Sequence, residues 1–222
     1  MKKIHLIVGA RPNIIKASPV YNALESLNKY DITVVNTGQH YDKLMMDTFI
    51  NELEFKAPDI NLRVGSGSHG TQTAKIITEY EKVLLKDKPD AVIVFGDVNS
   101  TLACTIAAKK MMIDVIHIES GLRSYDKDMP EEINRMMVDS VADYCFTTCE
   151  DASLNLIKEG RSKESIFMMG NTMIDSLVKF ESKFNESNLL DKYGLSVQEY
   201  ILFTMHRPSN VDNEEKLLKI IE

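Results

Sequence analysis

Apolar, β-rich runs alternate with amphipathic helical segments from one end of this sequence to the other, and that rhythm constrains the fold more than any single motif. Strands are predicted over residues 3–9 (KIHLIVG), 32–37 (ITVVNT), 91–95 (AVIVF), 115–118, 144–148, 166–169 and 200–205 (YILFTM). Helices are predicted over 13–28, 41–53, 71–86, 100–112, 131–142, 152–158, 172–184 and 213–222. Run 91–95 is apolar on both faces, as a strand covered on both sides of a parallel sheet must be. Strict alternation of this kind predicts an α/β fold, a doubly wound parallel sheet of Rossmann-like type.

The polar stretch 181–191 (ESKFNESNLLD) is the best candidate for a domain boundary. We therefore expect an amino-terminal Rossmann-like domain over 1–185 and the opening of a second over 186–222. One βα unit cannot bury its own faces, so the second domain is expected to be largely truncated.

Composition narrows the class. With 222 residues, 44% hydrophobic and 27% charged, the chain has ordinary globular values and can build one substantial core. No apolar run approaches the roughly 18 residues of a membrane span, and MKKIHLIVGA runs straight into RPNIIK as a first strand rather than a signal peptide. The three cysteines, Cys104, Cys145 and Cys149, are expected to be buried and reduced, which fits the cytoplasm and offers no thiolate metal site. A net charge of −7 excludes the broad basic surface of nonspecific nucleic-acid binding. It leaves room for a small anion held by a local cluster of arginines.

In a doubly wound sheet the carboxyl ends of the strands open on one crevice, so polar residues at strand ends are the candidate chemistry. The segment His117–Arg135, HIESGLRSYDKDMPEEINR, is the richest: it places Glu119, Glu131 and Glu132 near Arg123 and Arg135. Gly9–Lys16 (GARPNIIK) turns from the first strand into the first helix with Pro12 at a helix start and Arg11 and Lys16 near its positive end. An anion site and an ordinary βα turn explain that stretch equally well. Asp97 either caps the next helix, the better local reading, or points into the crevice as a base. His117 and His206 also sit at strand ends, where a lone histidine is more often structural. GSGSHG, residues 65–70, fits the dinucleotide-loop pattern literally, but DINLRV before it is a poor buried strand, and a flexible glycine loop is the better reading.

In order and spacing, GARPNIIKASPV, TGQHYDKLM, PDAVIVFGDVNSTLA, HIESGLRS, MPEEINR, MMGNTMID and TMHRPSNVDN resemble the motifs of non-hydrolysing UDP-N-acetylglucosamine 2-epimerases. The resemblance implies a GT-B-type architecture with the nucleotide sugar between two Rossmann-like domains, most of the second lying beyond these residues. It implies inversion at C2 by elimination of UDP to a 2-acetamidoglucal and readdition, interconverting UDP-N-acetylglucosamine and UDP-N-acetylmannosamine with no cofactor and no metal. The family's catalytic acids match Asp97, Glu119 and Glu131, and its functional histidine matches His206. Arg11, Lys16 and Arg135 match cationic positions assigned to phosphate binding or site organisation. Gln39 and His40 match positions that in some members help bind a second, activating substrate molecule. Glu132 is left as a helix-start carboxylate favoured by the dipole. Ala10 and Asn13 stand where the family's commonest first motif has threonine and glutamate, and HRPSN stands where HRRES is frequent. Those departures bear on the sugar, and a diacetamido uronic acid nucleotide is a related substrate. A noncatalytic nucleotide-sugar-binding module and a GT-B glycosyltransferase are the alternative readings. The expected partner is a UDP-sugar, with no nucleic acid and no membrane, and a homodimer is expected for a full-length form.

Overall fold

Six of the predicted apolar runs become strands of one parallel sheet: β1 (Lys2–Val8), β2 (Tyr30–Asn36), β4 (Ala91–Phe95), β5 (Asp114–Ser120), β6 (Tyr144–Thr147) and β7 (Ile166–Met168). The computed structural model describes residues 1–38, 50, 52–205 and 208–221, without the side chains of Arg11, Pro208 and Ser209. A seventh strand, β3 (Ile60–Asn61), contributes two residues at the sheet edge, giving the order β3-β2-β1-β4-β5-β6-β7. The order reverses direction between β1 and β4, which is the topological switch point where such sheets form their crevice.

Among the described residues of this first unit, Met1–Lys179, the helices are α1 (Arg11–Ser26), α2 (His69–Lys86), α3 (Asn99–Lys110), α4 (Pro130–Val141), α5 (Glu150–Lys158) and α6 (Thr172–Lys179). Side chains alternate across the strands and feed two cores. Leu6, Val8, Ile93 and Phe95 meet Ile14, Ala17 and Tyr21 of α1 on one face. Ile7, Val92, Val94 and Val115 meet Ile76 and Tyr80 of α2, Ala103 and Ala107 of α3 and Val138 of α4 on the other. Cys104 and Cys145 lie in that second core as expected, but Cys149 is exposed. It sits beyond the end of β6 as the residue that starts α5, where the chain has already left the sheet.

DINLRV forms little strand because it lies at the edge and has a neighbour on one side only. The GSGSHG loop therefore follows an edge strand rather than a buried central one, which is the wrong start for a dinucleotide loop.

Pro19 falls inside α1, where its missing N–H leaves the carbonyl of Ile15 without a helical donor. Ser176 of α6 supplies one, its hydroxyl donating to that carbonyl at 2.7 Å. A helix-breaking residue thus becomes the docking point between two helices on this face.

The second unit, Phe180–Glu222, contains α7 (Glu181–Asn185), α8 (Leu189–Tyr193), α9 (Pro208–Val211) and α10 (Glu214–Ile221) among its described residues. The helix expected over 172–184 is interrupted between α6 and α7. The strand expected over 200–205 does not form. No other strand lies among the unit's described residues, and a lone run has no neighbour to take its N–H and C=O groups. Ile201 and Leu202 are accordingly 92% and 88% exposed.

Replacing Ser176 with alanine leaves the half-buried Ile15 carbonyl without its donor, so we expect a loss of about 1 kcal/mol in urea unfolding. An unchanged midpoint would show that this hydrogen bond contributes nothing to α1–α6 docking.

Candidate active site

Asn13, on the first turn of α1 and 3% exposed, holds the switch point together. Its side-chain oxygen accepts the N–H of Ala10 at 3.0 Å and, more loosely, that of Gly9 at 3.3 Å, while its amide donates to the carbonyl of Phe95 at 3.2 Å. One amide thereby joins the ends of β1 and β4. Gly9 is required by close approach: a Cβ there would sit 2.1 Å from Ser100 Oγ and 2.8 Å from Thr37 Oγ1. Those two hydroxyls are hydrogen-bonded to each other at 2.7 Å.

Beyond β4 the chain turns through Gly96, whose φ of +61° suits glycine and whose N–H donates to Ile118 of β5. Asp97 follows, and it does not cap α3; the N-cap position belongs to Val98, and the Asp97 carboxylate pairs with Arg135 of α4. The local preference for capping loses to a charged partner 38 residues away. Arg135 also donates to Glu132 Oε2 at 2.9 Å. Burial pulls the Arg135 guanidinium down, but Asp97 and Glu132 outweigh it and hold it above its ordinary value. Asn134 adds a bond from its amide to the Asp97 carbonyl at 2.8 Å.

Glu132 lies in the first turn of α4 as expected, and it also binds the preceding loop. It is 1% exposed and accepts the N–H groups of Ser124 and Tyr125 at 3.0 and 2.9 Å as well as Arg135. Burial alone would raise its carboxyl, but these donors win and hold it below the usual carboxylate range.

Glu119 leaves β5 beside Asp97's strand, because Phe95 and Ile118 are register partners. Its φ is +70°, and the β5–β6 register slips between Ile118 and Ser120, so Glu119 occupies a bulge. A non-glycine residue held there costs on the order of 1–3 kcal/mol, a strain that clusters at functional sites. Lys16 of α1 reaches across and pairs with the Glu119 carboxylate at 2.5 Å. The two strand-end carboxylates are thus each matched by a cation from a different helix.

A second charged chain runs beneath them. His117, fully buried in β5, lies 2.7 Å from Asp139 Oδ1 through Nδ1 and 2.7 Å from the Gly96 carbonyl through Nε2. Asp139 Oδ2 accepts the Gly121 N–H at 3.0 Å and Arg123 at 2.7 Å, and Arg123 in turn forks onto Glu159. Burial works to raise Asp139, but His117 and Arg123 more than offset it and keep the carboxyl below its ordinary value.

Of the predicted site residues, the structure brings together Lys16, Asp97, Glu119 and Arg135. Glu131 lies on the first turn of α4, four residues before Arg135, and its carboxylate makes no hydrogen bond or ion pair with a described residue. Gln39, His40 and His206 lie outside the described residues, as does the side chain of Arg11. Sequence reasoning passed over Asn13 and Asp139 as parts of the site. A signal existed for Asp139: Glu132, Arg135 and Asp139 recur at helical spacing on α4, a pattern that reads equally well as a solvated face. Among the described residues no group of three or more His, Cys, Asp or Glu side chains is disposed to hold a metal ion. No helix among them is long and apolar enough to cross a membrane.

Strand order, switch-point crevice and the paired charges at its rim define a doubly wound, Rossmann-like domain with a polar site at the carboxyl ends of its strands. A family model for UDP-N-acetylglucosamine 2-epimerase matches residues 22–222, and the chain belongs to that family. It is 45% identical over 223 residues to the UDP-N-acetylglucosamine 2-epimerase of Methanocaldococcus jannaschii, covering 99% of this chain and 61% of that protein. The crystal structure of that archaeon's enzyme in complex with UDP-GlcNAc and UDP matches with a TM-score of 0.89 at 44% identity, covering 99% of this chain and 60% of that one. The UDP-2,3-diacetamido-2,3-dideoxy-D-glucuronate 2-epimerase of Pseudomonas aeruginosa is 41% identical over 99% of this chain and 62% of its own length. The chain therefore spans about three-fifths of the length of these relatives.

Because the Glu132 carboxyl lies lower in the folded than in the unfolded chain, its contribution is complete above the ordinary value of 4.5 and is lost as pH falls through the folded value. Glu132→Gln offers one acceptor oxygen to two backbone N–H groups. We expect it to cost about 1–3 kcal/mol at neutral pH and to flatten the decline of stability in acid. Urea unfolding at neutral and acidic pH checks both, and an acid limb as steep as the parent's would refute the assignment.

Proposed function

We propose that this chain forms the carboxylate-bearing wall of a cytoplasmic enzyme that interconverts UDP-N-acetylglucosamine and UDP-N-acetylmannosamine. The observation that carries the reading is the pairing at adjoining strand ends: Asp97 with Arg135, and Glu119 with Lys16. The bound UDP-GlcNAc and UDP in the similar Methanocaldococcus jannaschii structure support the same substrate class.

The reaction needs a base for a weakly acidic C2 proton, an acid on the opposite face, and positive charge for the departing diphosphate. A carboxylate takes the C2 proton as the C1–O bond breaks and UDP leaves, giving the 2-acetamidoglucal. UDP oxygen then re-forms the bond to C1 while a proton is delivered to the other face of C2. Asp97, Glu119 and Glu131 supply the base and acid, with His206 as the fourth catalytic group. Arg11, Lys16 and Arg135 organise the site and stabilise the diphosphate. The charge balance favours this use: when Glu119 is neutralised by the C2 proton, Lys16 is released from its pair and becomes available to an anion. Gln39 and His40 bind a second, activating substrate molecule, so sigmoidal kinetics are part of the reading and hyperbolic kinetics would remove it.

The Pseudomonas aeruginosa relative favours one second reading, a UDP-diacetamido uronic acid as substrate. The reading also includes a homodimer, for which Ile133, Met137 and Val141 form an exposed apolar row at four-residue spacing on α4. Ile133→Glu should shift sedimentation of the full-length polypeptide toward the monomer, and an unmoved profile would exclude this face.

In heavy water the full-length polypeptide should place deuterium at C2 of UDP-N-acetylglucosamine. Asp97→Asn and Glu119→Gln should each slow that exchange by about 100-fold or more, the usual weight of a general acid or base, while UDP binding by calorimetry persists. Near-normal exchange in both variants would remove these carboxylates from the mechanism. Exchange with the diacetamido uronic acid nucleotide alone would transfer the assignment to the second reading.

A further inference from the structure

His117 is 0% exposed, so it touches no substrate, yet it lies between the two strand ends that carry the candidate carboxylates. Gly96, on one side, directly follows β4, and Asp97 is the next residue. The Gly96 carbonyl accepts from Nε2 of His117 at 2.7 Å. On the other side, Asp139 accepts from Nδ1 at 2.7 Å and uses its second oxygen to hold the Gly121 N–H. Gly121 ends the bulged turn that begins at Glu119, and its conformation is over-determined: φ is +79° and a Cβ would stand 2.3 Å from the Ala152 carbonyl oxygen. The ring faces a carboxylate oxygen on one side and a carbonyl on the other, each at 2.7 Å, so both nitrogens are placed to donate.

We propose that His117 is a positioning residue for both carboxylates: Nε2–H fixes the Gly96–Asp97 turn, and Nδ1–H, through Asp139, fixes the Glu119–Gly121 turn. This rests on the assignment of Asp97 and Glu119 to the reaction. Imidazole suits the task because it is a rigid plane with two donors aimed in different directions, and a buried one loses little freedom on folding. Glycine at 96 makes the clamp necessary. Its φ of +61° favours glycine, the residue with the freest backbone, and a Cβ there would stand 3.0 Å from Lys16 Nζ, which would have to shift beside Glu119. The carbonyl must then be held from outside. Arg123 and Glu159 complete the chain by balancing the charge on Asp139.

Two near-isosteres separate the ring's two bonds. His117→Asn keeps a donor where Nδ1 stood, facing Asp139, and removes the donor to Gly96. His117→Gln keeps a donor where Nε2 stood and removes the one to Asp139. In the full-length polypeptide, His117→Asn and His117→Gln should each lower kcat for C2 exchange by at least about 100-fold with KM nearly unchanged, because each frees the turn of one carboxylate. Amide hydrogen exchange across residues 96–98 should accelerate in His117→Asn and not in His117→Gln. Undiminished kcat in either variant, or losses that merely track their thermal stability, would overturn the proposal. Should neither variant fold, ring-¹⁵N-labelled histidine in the unmodified protein decides: hydrogen-bonded N–H signals are expected from both His117 nitrogens, and a spectrum lacking either one overturns the clamp. If hydrogen exchange behaves as expected while Asp97→Asn and Glu119→Gln leave C2 exchange intact, the clamp stands and the catalytic reading falls.

Discussion

The hydrogen bonds of Asn13 join two strand ends whose crossovers leave in opposite directions. At a switch point the peptide groups beyond the last ladder bond have neither helix nor sheet to satisfy them, and burying them unpaired is costly. Asn13 answers with one acceptor for two N–H groups and one donor for the Phe95 carbonyl. With the strand ends joined, α3 can bury its first turn against Gly9, and the chain leaving β4 is set to turn at Gly96. Asp97, Lys16 and Glu119 all take their places from that turn. Glutamate, the residue frequent at this position in the resemblance, would offer acceptors but no donor to Phe95.

Charge placed near the core is tolerated here because it comes in pairs that share partners. Arg135 serves Asp97 and Glu132, Asp139 serves His117, Arg123 and the Gly121 amide, and each buried carboxylate also binds backbone N–H groups. Such groups contribute little net stability, since desolvation opposes the attraction, but removing one partner strands the other. Their consequence is geometric. A single helix, α4, carries Glu131, Glu132, Arg135 and Asp139, so its position against β4 and β5 sets both rims of the crevice. At the β5 bulge Glu119 takes a positive φ, and its carboxylate meets Lys16.

The sheet was legible because a strand buried on both faces must be apolar throughout, and that leaves a plain trace in AVIVF and its neighbours. The edge strand β3 left none, because two paired residues need no pattern. The opposite error at 200–205 has the same root: apolar, β-branched and aromatic residues state a preference, and only neighbouring strands turn preference into a ladder. The strand ends as candidate ground, and Asp97, Glu119, Lys16 and Arg135 as candidates, came from the sequence and the resemblance it carries, and the structure brings these four together. Their pairing was not legible: the local rule offered Asp97 a helix cap that Val98 takes, and the first-turn place of Glu132, read correctly, said nothing of its burial against the loop.

By itself, then, the sequence determined the α/β class, the run of strands and the polar residues that follow them, since these depend on periodicity within a few neighbouring residues. Tertiary structure alone decided that Asn13 meets Phe95 across 82 positions, that Asp97 meets Arg135 across 38, and that His117 stands between Gly96 and Asp139. Those contacts exist only once the crossovers have brought distant strand ends and one helix together, and no local pattern of residues encodes which charge will find which.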